Sequence, residues 1–117
     1  MTTPWISLFG PRTGSSFEIQ VKSIRNHGYV FMRKRLFQPH EDLYVALLVF
    51  ANSGQPNMYL IPSMTWLALP LRASFNSRDY GTGLKSEPEW GLQVTARTRV
   101  LLEDFSFDRA VALLASS

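Results

Sequence analysis

Cysteine is absent from the 117 residues, which excludes disulfides and thiolate metal sites and permits a reducing compartment. The two histidines, His27 and His40, lack the H-x-x-x-H spacing of a zinc-binding helix, so zinc chemistry is not expected. No apolar run approaches the roughly 18 residues of a membrane-crossing helix. The chain does not open with a basic region followed by an apolar one, as a secretory leader would. The expectation is a cytoplasmic protein without a membrane partner. Walker loops, a G-x-G-x-x-G after a strand, a G-x-S-x-G elbow and internal repeats are also missing. Charge is scarce as well: 18% of residues are charged against 45% hydrophobic, with eight Phe, four Tyr and three Trp. That balance belongs to a folded chain rather than a disordered one. It also suggests a surface partly covered by a partner chain or a second copy.

The length suits one domain, 1–117. Residues 17–23 read Phe-Glu-Ile-Gln-Val-Lys-Ser and alternate with a period of two, which is a strand signature. Phe17, Ile19 and Val21 fall on one face, and Glu18, Gln20 and Lys22 on the other. This polar row is either a solvated strand face or the floor of a site. Residues 5–9 predict a preceding strand, joined to it by turn formers at 10–16. Residues 26–28 predict a turn, with Gly28 able to take a positive φ, and 29–35 a third strand that is basic at its end. Residues 43–51 are nearly unbroken in apolar side chains and predict a strand buried on both faces. A turn-rich link leads to a fifth strand at 58–61. An antiparallel meander is the simplest topology for five such strands.

Ser63 is placed to cap a short helix over 64–69, closed by Pro70. Residues 73–89 show no apolar period and read as a long loop. A last short strand is expected at 90–94, and 97–102 could extend it or begin a helix. Ser106 followed by Phe107, Ala110, Val111 and Leu114 at helical spacing predicts a C-terminal helix docked on the sheet. The fold class is therefore α/β (α+β): a central mixed, mostly antiparallel sheet of about five strands, a short helix after residue 62 and a C-terminal helix. Trp66 and Trp90 are read as packing residues rather than base-stacking ones.

The formal charge is +3, and Lys22, Arg25, Arg33, Lys34 and Arg35 crowd into residues 22–35. Such a local excess suits phosphate, although a solvated basic face gives the same pattern. Arg25, Arg33, Lys34 and Arg35 are the candidate nucleic-acid contacts. Metal-dependent phosphodiester hydrolysis needs oxygen ligands for the ion and a nearby cation to balance phosphate charge. Glu18, Gln20 and Lys22 supply a carboxylate, an amide oxygen and an ammonium from one strand, with Glu18 and Gln20 as the candidate metal ligands. His40, Glu41 and Asp42 could add an imidazole or a carboxylate, but a solvated turn is the preferred reading there.

With these residues in place, the segment 17–23 resembles the Q-x-K form of the second half-motif in the PD-(D/E)xK, restriction-endonuclease-like superfamily. The resemblance spans residues 5–70: a hairpin before the motif, a basic strand after it, the apolar strand 43–51, and Tyr59-Leu60-Ile61-Pro62-Ser63 leading into a helix with Trp66. It implies a DNA-processing nuclease domain with magnesium as cofactor and Glu18, Gln20 and Lys22 at the ancestral site. The family's aspartate has no counterpart here, because no acidic residue precedes Glu18. Gln20 and Lys22 match the half-motif, and Glu18 is a substitute on the same face. A degenerate relative, a subunit completed by a partner chain and a fragment are all consistent with that pattern. Cleavage by the chain alone is not the expectation, and the alternative is a non-catalytic nucleic-acid-binding or protein-assembly module.

Overall fold

Among the described residues, six of the seven strands form where the sequence predicts them. The computed structural model describes residues 5–9, 16–51, 54–68, 75–79 and 87–115. Seven strands are present: β1 (Trp5–Phe9), β2 (Ser16–Arg25), β3 (Gly28–Arg33), β4 (Leu43–Phe50), β5 (Asn57–Pro62), β6 (Phe75–Arg78) and β7 (Glu89–Val94). A 3-10 turn, Ser63–Leu67, follows β5. After β7 come helix α1 (Ala96–Leu101), a second 3-10 turn (Leu102–Phe105) and helix α2 (Phe107–Ala115).

The α+β class holds, but the single sheet does not. The strands divide into a four-stranded sheet, β1-β2-β4-β5, and a three-stranded sheet, β3-β7-β6. Nor is the order a meander, since β2 and β4 run parallel while the other neighbours are antiparallel. The physical reason lies in the edges of β2. With β1 on one side and β4 on the other, β2 has no edge left for β3. Parallel neighbours require a long crossover, and residues 26–42 supply it by passing through the second sheet. The turn between β2 and β3 is made by Asn26 at φ 60°, not by Gly28. Asparagine tolerates that left-handed conformation better than most residues, and its N–H donates to Phe50 O (2.7 Å), tying the turn to the end of β4.

β4 is buried fully on one face only. Leu43, Val45, Leu47 and Val49 are in the core, whereas Tyr44, Ala46 and Leu48 are half-buried and Phe50 is exposed. Each fully buried aliphatic side chain contributes about 1.5–3 kcal/mol. The core joins both sheets: Val30 and Met32 of β3, Leu92 and Val94 of β7 and Phe75 of β6 pack with the β4 residues, Ile61, Phe37 and Trp66. Trp66 packs edge-on to Phe37 and Phe75, and its indole N–H donates to Gly91 O (2.8 Å), so it is a packing residue as expected.

Two local expectations change, and one left open resolves. Ser63 does not cap a helix, because Pro62 holds that position and Ser63 is buried inside the turn. The predicted loop 73–89 contains β6, anchored by buried Phe75 against Trp66; Tyr80 and Lys85 lie outside the described residues. Residues 96–101 become helix, with Thr95 accepting from Thr98 N–H (3.2 Å) as the cap. The C-terminal helix forms and touches β5. Its expected apolar stripe is only partly docked, since Phe107 and Val111 remain exposed and the side chain of Leu114 lies outside the described residues. Expected caps and turns at 10–15 and Pro70 also lie outside them.

Candidate functional site

Register decides which way the polar row points. In the parallel pairing Glu18 lies beside Leu43, Gln20 beside Val45 and Lys22 beside Leu47. Laterally paired residues share a face, so the row lies on the inner side of the four-stranded sheet, with the core residues of β4. Phe17, Ile19 and Val21 share the outer face with Tyr44, Ala46 and Leu48, and Phe17 packs edge-on to Tyr44 (5.8 Å). The row therefore runs from solvent at Glu18 into the core at Gln20.

The three residues sit in different environments. The Glu18 side chain is about half exposed, at 54%. Gln20 is only 4% exposed, and its Oε1 is buried without a hydrogen-bond partner among the described residues. A buried acceptor left without a donor costs about 1–3 kcal/mol. Lys22 is half-buried with its ammonium 5.7 Å from the Phe31 ring centroid. Burial lowers its pKa from the ordinary value of 10.5 by penalising the charged form.

His40 joins this group from the loop before β4. Ser63 clamps its backbone, since His40 N–H donates to Ser63 Oγ (3.0 Å) and the hydroxyl donates to His40 O (2.8 Å). Asp42 N–H donates to His40 Nδ1 (3.3 Å), which leaves Nε2 to carry the proton of a neutral ring. That Nε2 lies 3.9 Å from Glu18 Oε2. The backbone of β2 is pinned here too, Glu18 N–H donating to Asp42 O (2.8 Å). The turn reading of 40–42 is therefore right for the backbone and incomplete for the imidazole. Asp42 contributes on the other side of β4, where burial and then the Asp42 charge raise the pKa of the Tyr44 hydroxyl.

The basic run is paired internally, three cations against two carboxylates. Arg33 Nη1 pairs with Glu87 (3.0 Å), and Arg35 Nε pairs with the same carboxylate (2.5 Å). Lys34 pairs with Asp79 (2.9 Å) and sits 4.2 Å from the Trp90 ring centroid. Hydrogen bonding to Glu87, then its charge, raises the Arg35 pKa. Glu87 is held low mainly by the hydrogen bond from Arg35, the Arg35 and Arg33 charges adding to that effect against a smaller opposing desolvation. Arg25 ends β2 beside Phe50 and is exposed. The four expected nucleic-acid contacts thus divide into three paired cations and Arg25.

A second group was not singled out in the sequence. Tyr29 and Phe31 lie two residues apart on β3, with ring planes within 19° and centroids 6.3 Å apart. The Tyr29 hydroxyl donates to buried Glu89 Oε2 (2.6 Å) and lies 3.1 Å from Asn76 Oδ1. Gly91 leaves room for it, because a methyl group there would overlap the Tyr29 hydroxyl and ring. The Arg78 guanidinium lies 4.9 Å from the Tyr29 ring centroid. The period-two alternation of Tyr29, Phe31 and Arg33 against Val30 and Met32 is the signal that could have found this face.

Among the described residues no three histidine, aspartate or glutamate side chains converge as a metal-binding group. The oxygen donors on the inner face of β2 are the Glu18 carboxylate and Gln20 Oε1. Magnesium commonly keeps several waters and takes one or two carboxylates plus substrate phosphate, and these two donors match only the protein share of such a set. Comparison with known proteins finds no matching family model, no matching curated protein and no matching solved structure.

Proposed function

We propose that this chain is a nucleic-acid-binding domain of the nuclease-like type, in which the polar row of β2 meets the sugar-phosphate backbone. Half-buried Lys22 carries the reading. An ammonium that has lost part of its hydration regains stability when a phosphate approaches, and the attraction is stronger there than in bulk water. The half-exposed Glu18 carboxylate stands on the same face of β2. The test is fluorescence anisotropy with labelled oligonucleotides over a salt series. Affinity should fall steeply with salt, and Lys22→Ala should flatten the slope by about one unit or slightly less. Absence of binding at low salt would remove the proposal, and salt-independent binding would point to a protein partner.

Cleavage is the second reading, favoured by the 3.9 Å approach of His40 to Glu18 and by the buried Gln20 oxygen. Glu18 and Gln20 would hold magnesium, which would polarise the phosphate, and Lys22 would balance the developing charge. Plasmid nicking with magnesium or manganese, comparing the native chain with Glu18→Ala and Lys22→Ala, checks it. Loss of nicking in both variants supports cleavage; an inactive but folded native chain eliminates it for the isolated protein.

A further inference from the structure

We propose that the outward face of β3 is a stacking platform for the bases of single-stranded nucleic acid, an inference that rests on the nucleic-acid reading above and names its substrate class. The register of β3 is pinned by its inner face, where Val30 and Met32 are buried. Alternation then holds Tyr29, Phe31 and Arg33 on the outer face. Phe31 is 41% exposed, a large ring kept in water beside the polar row of β2. Tyr29 is half-buried and oriented by its hydroxyl bond to Glu89 in the space that Gly91 leaves. Its ring is thus pre-set and loses little rotamer freedom on binding.

Cations stand beside both rings. Lys22 lies next to Phe31 and Arg78 next to Tyr29, while Arg33, which follows Phe31 on the same strand face, is paired with Glu87. Alternating aromatic and cationic side chains match the two repeating parts of a single strand, its flat bases and its phosphates. In a duplex the base faces are already stacked inside, so rings on an open strand face have nothing to pack against. β3 pairs with β7 and with no other described strand.

Anisotropy of the full chain with a labelled oligo-dT strand and with a duplex of the same length decides the matter. The strand should bind more tightly than the duplex. Phe31→Ala should weaken the strand about tenfold, the usual loss for one stacked base, and leave the duplex unchanged. Phe31→Leu keeps apolar bulk without the ring and should weaken it similarly, while Phe31→Trp should retain native affinity; thermal melting confirms that each variant folds. Strand binding that depends on salt but is unmoved by both ring-removing variants would overturn the platform and leave the proposed function standing. A preference for duplex would do the same. No binding to either probe would overturn both.

Discussion

Lys22 and the run Arg33, Lys34 and Arg35 are the two concentrations of positive charge in this chain, and the fold treats them in opposite ways. The run ends β3 in a conspicuous block, yet each of its cations meets a carboxylate from Asp79 or Glu87. Lys22 is a single charge within an ordinary alternating strand, and its register places it half out of water on the inner face of a sheet. A block of charge is therefore not a field until its partners are known. A single charge on a strand becomes chemically distinctive when burial takes away part of its hydration.

The largest effect should come from Gly91→Ala. Gly91 lies opposite Phe31, and a methyl group there collides with Tyr29. A loss of about 1–3 kcal/mol, the scale of overpacking, should appear in chemical denaturation, with weaker oligonucleotide binding as β3 shifts. Unchanged stability would mean that Tyr29 does not occupy the space above Gly91. Lys22→Met should have a smaller effect of the opposite sign, a gain of about 0.5 kcal/mol at neutral pH. Because burial depresses the Lys22 pKa, the unfolded chain binds more protons between that depressed value and 10.5. Native stability accordingly rises with pH across that window, and Lys22→Met should abolish the rise. A variant with the same alkaline slope as the native chain would contradict the assignment.

Glu87→Gln should change neutral-pH stability least, because its ion pairs are solvent-exposed and screened. The Glu87 pKa is held low, so its contribution is complete at neutral pH and is lost as pH falls through the depressed value. Melting curves taken downward from neutral pH should show that small loss in the native chain and not in the variant. Releasing Arg33 and Arg35 should also steepen the salt dependence of oligonucleotide binding. An unchanged slope would show that the basic run takes no part in binding even when unpaired.

Strand positions were legible because alternation is a local property: residues 17–23, 29–35, 43–51 and 58–61 all contain or overlap observed strands. β6 was not legible, since one aromatic, Phe75, anchors a short segment whose partner β7 lies further along the chain. The site was half legible. Glu18, Gln20 and Lys22 could be read as one row, whereas His40 joins Glu18 only because Ser63 holds its backbone. Tyr29, Arg78 and Glu89 meet across three strands of one sheet, and no spacing within a single segment encodes that meeting.

The sequence by itself determined where the chain is extended, that β4 would be central to the core, and that no cysteine chemistry is open to it. Only the tertiary structure decided that the strands split into two sheets, that the polar face of β2 turns inward, and that Glu87 and Asp79 pair with the basic run. The physical reason is range. Periodicity and propensity act between neighbours along the chain, but sheet edges and ion pairs are settled by segments far apart in sequence competing for the same partners.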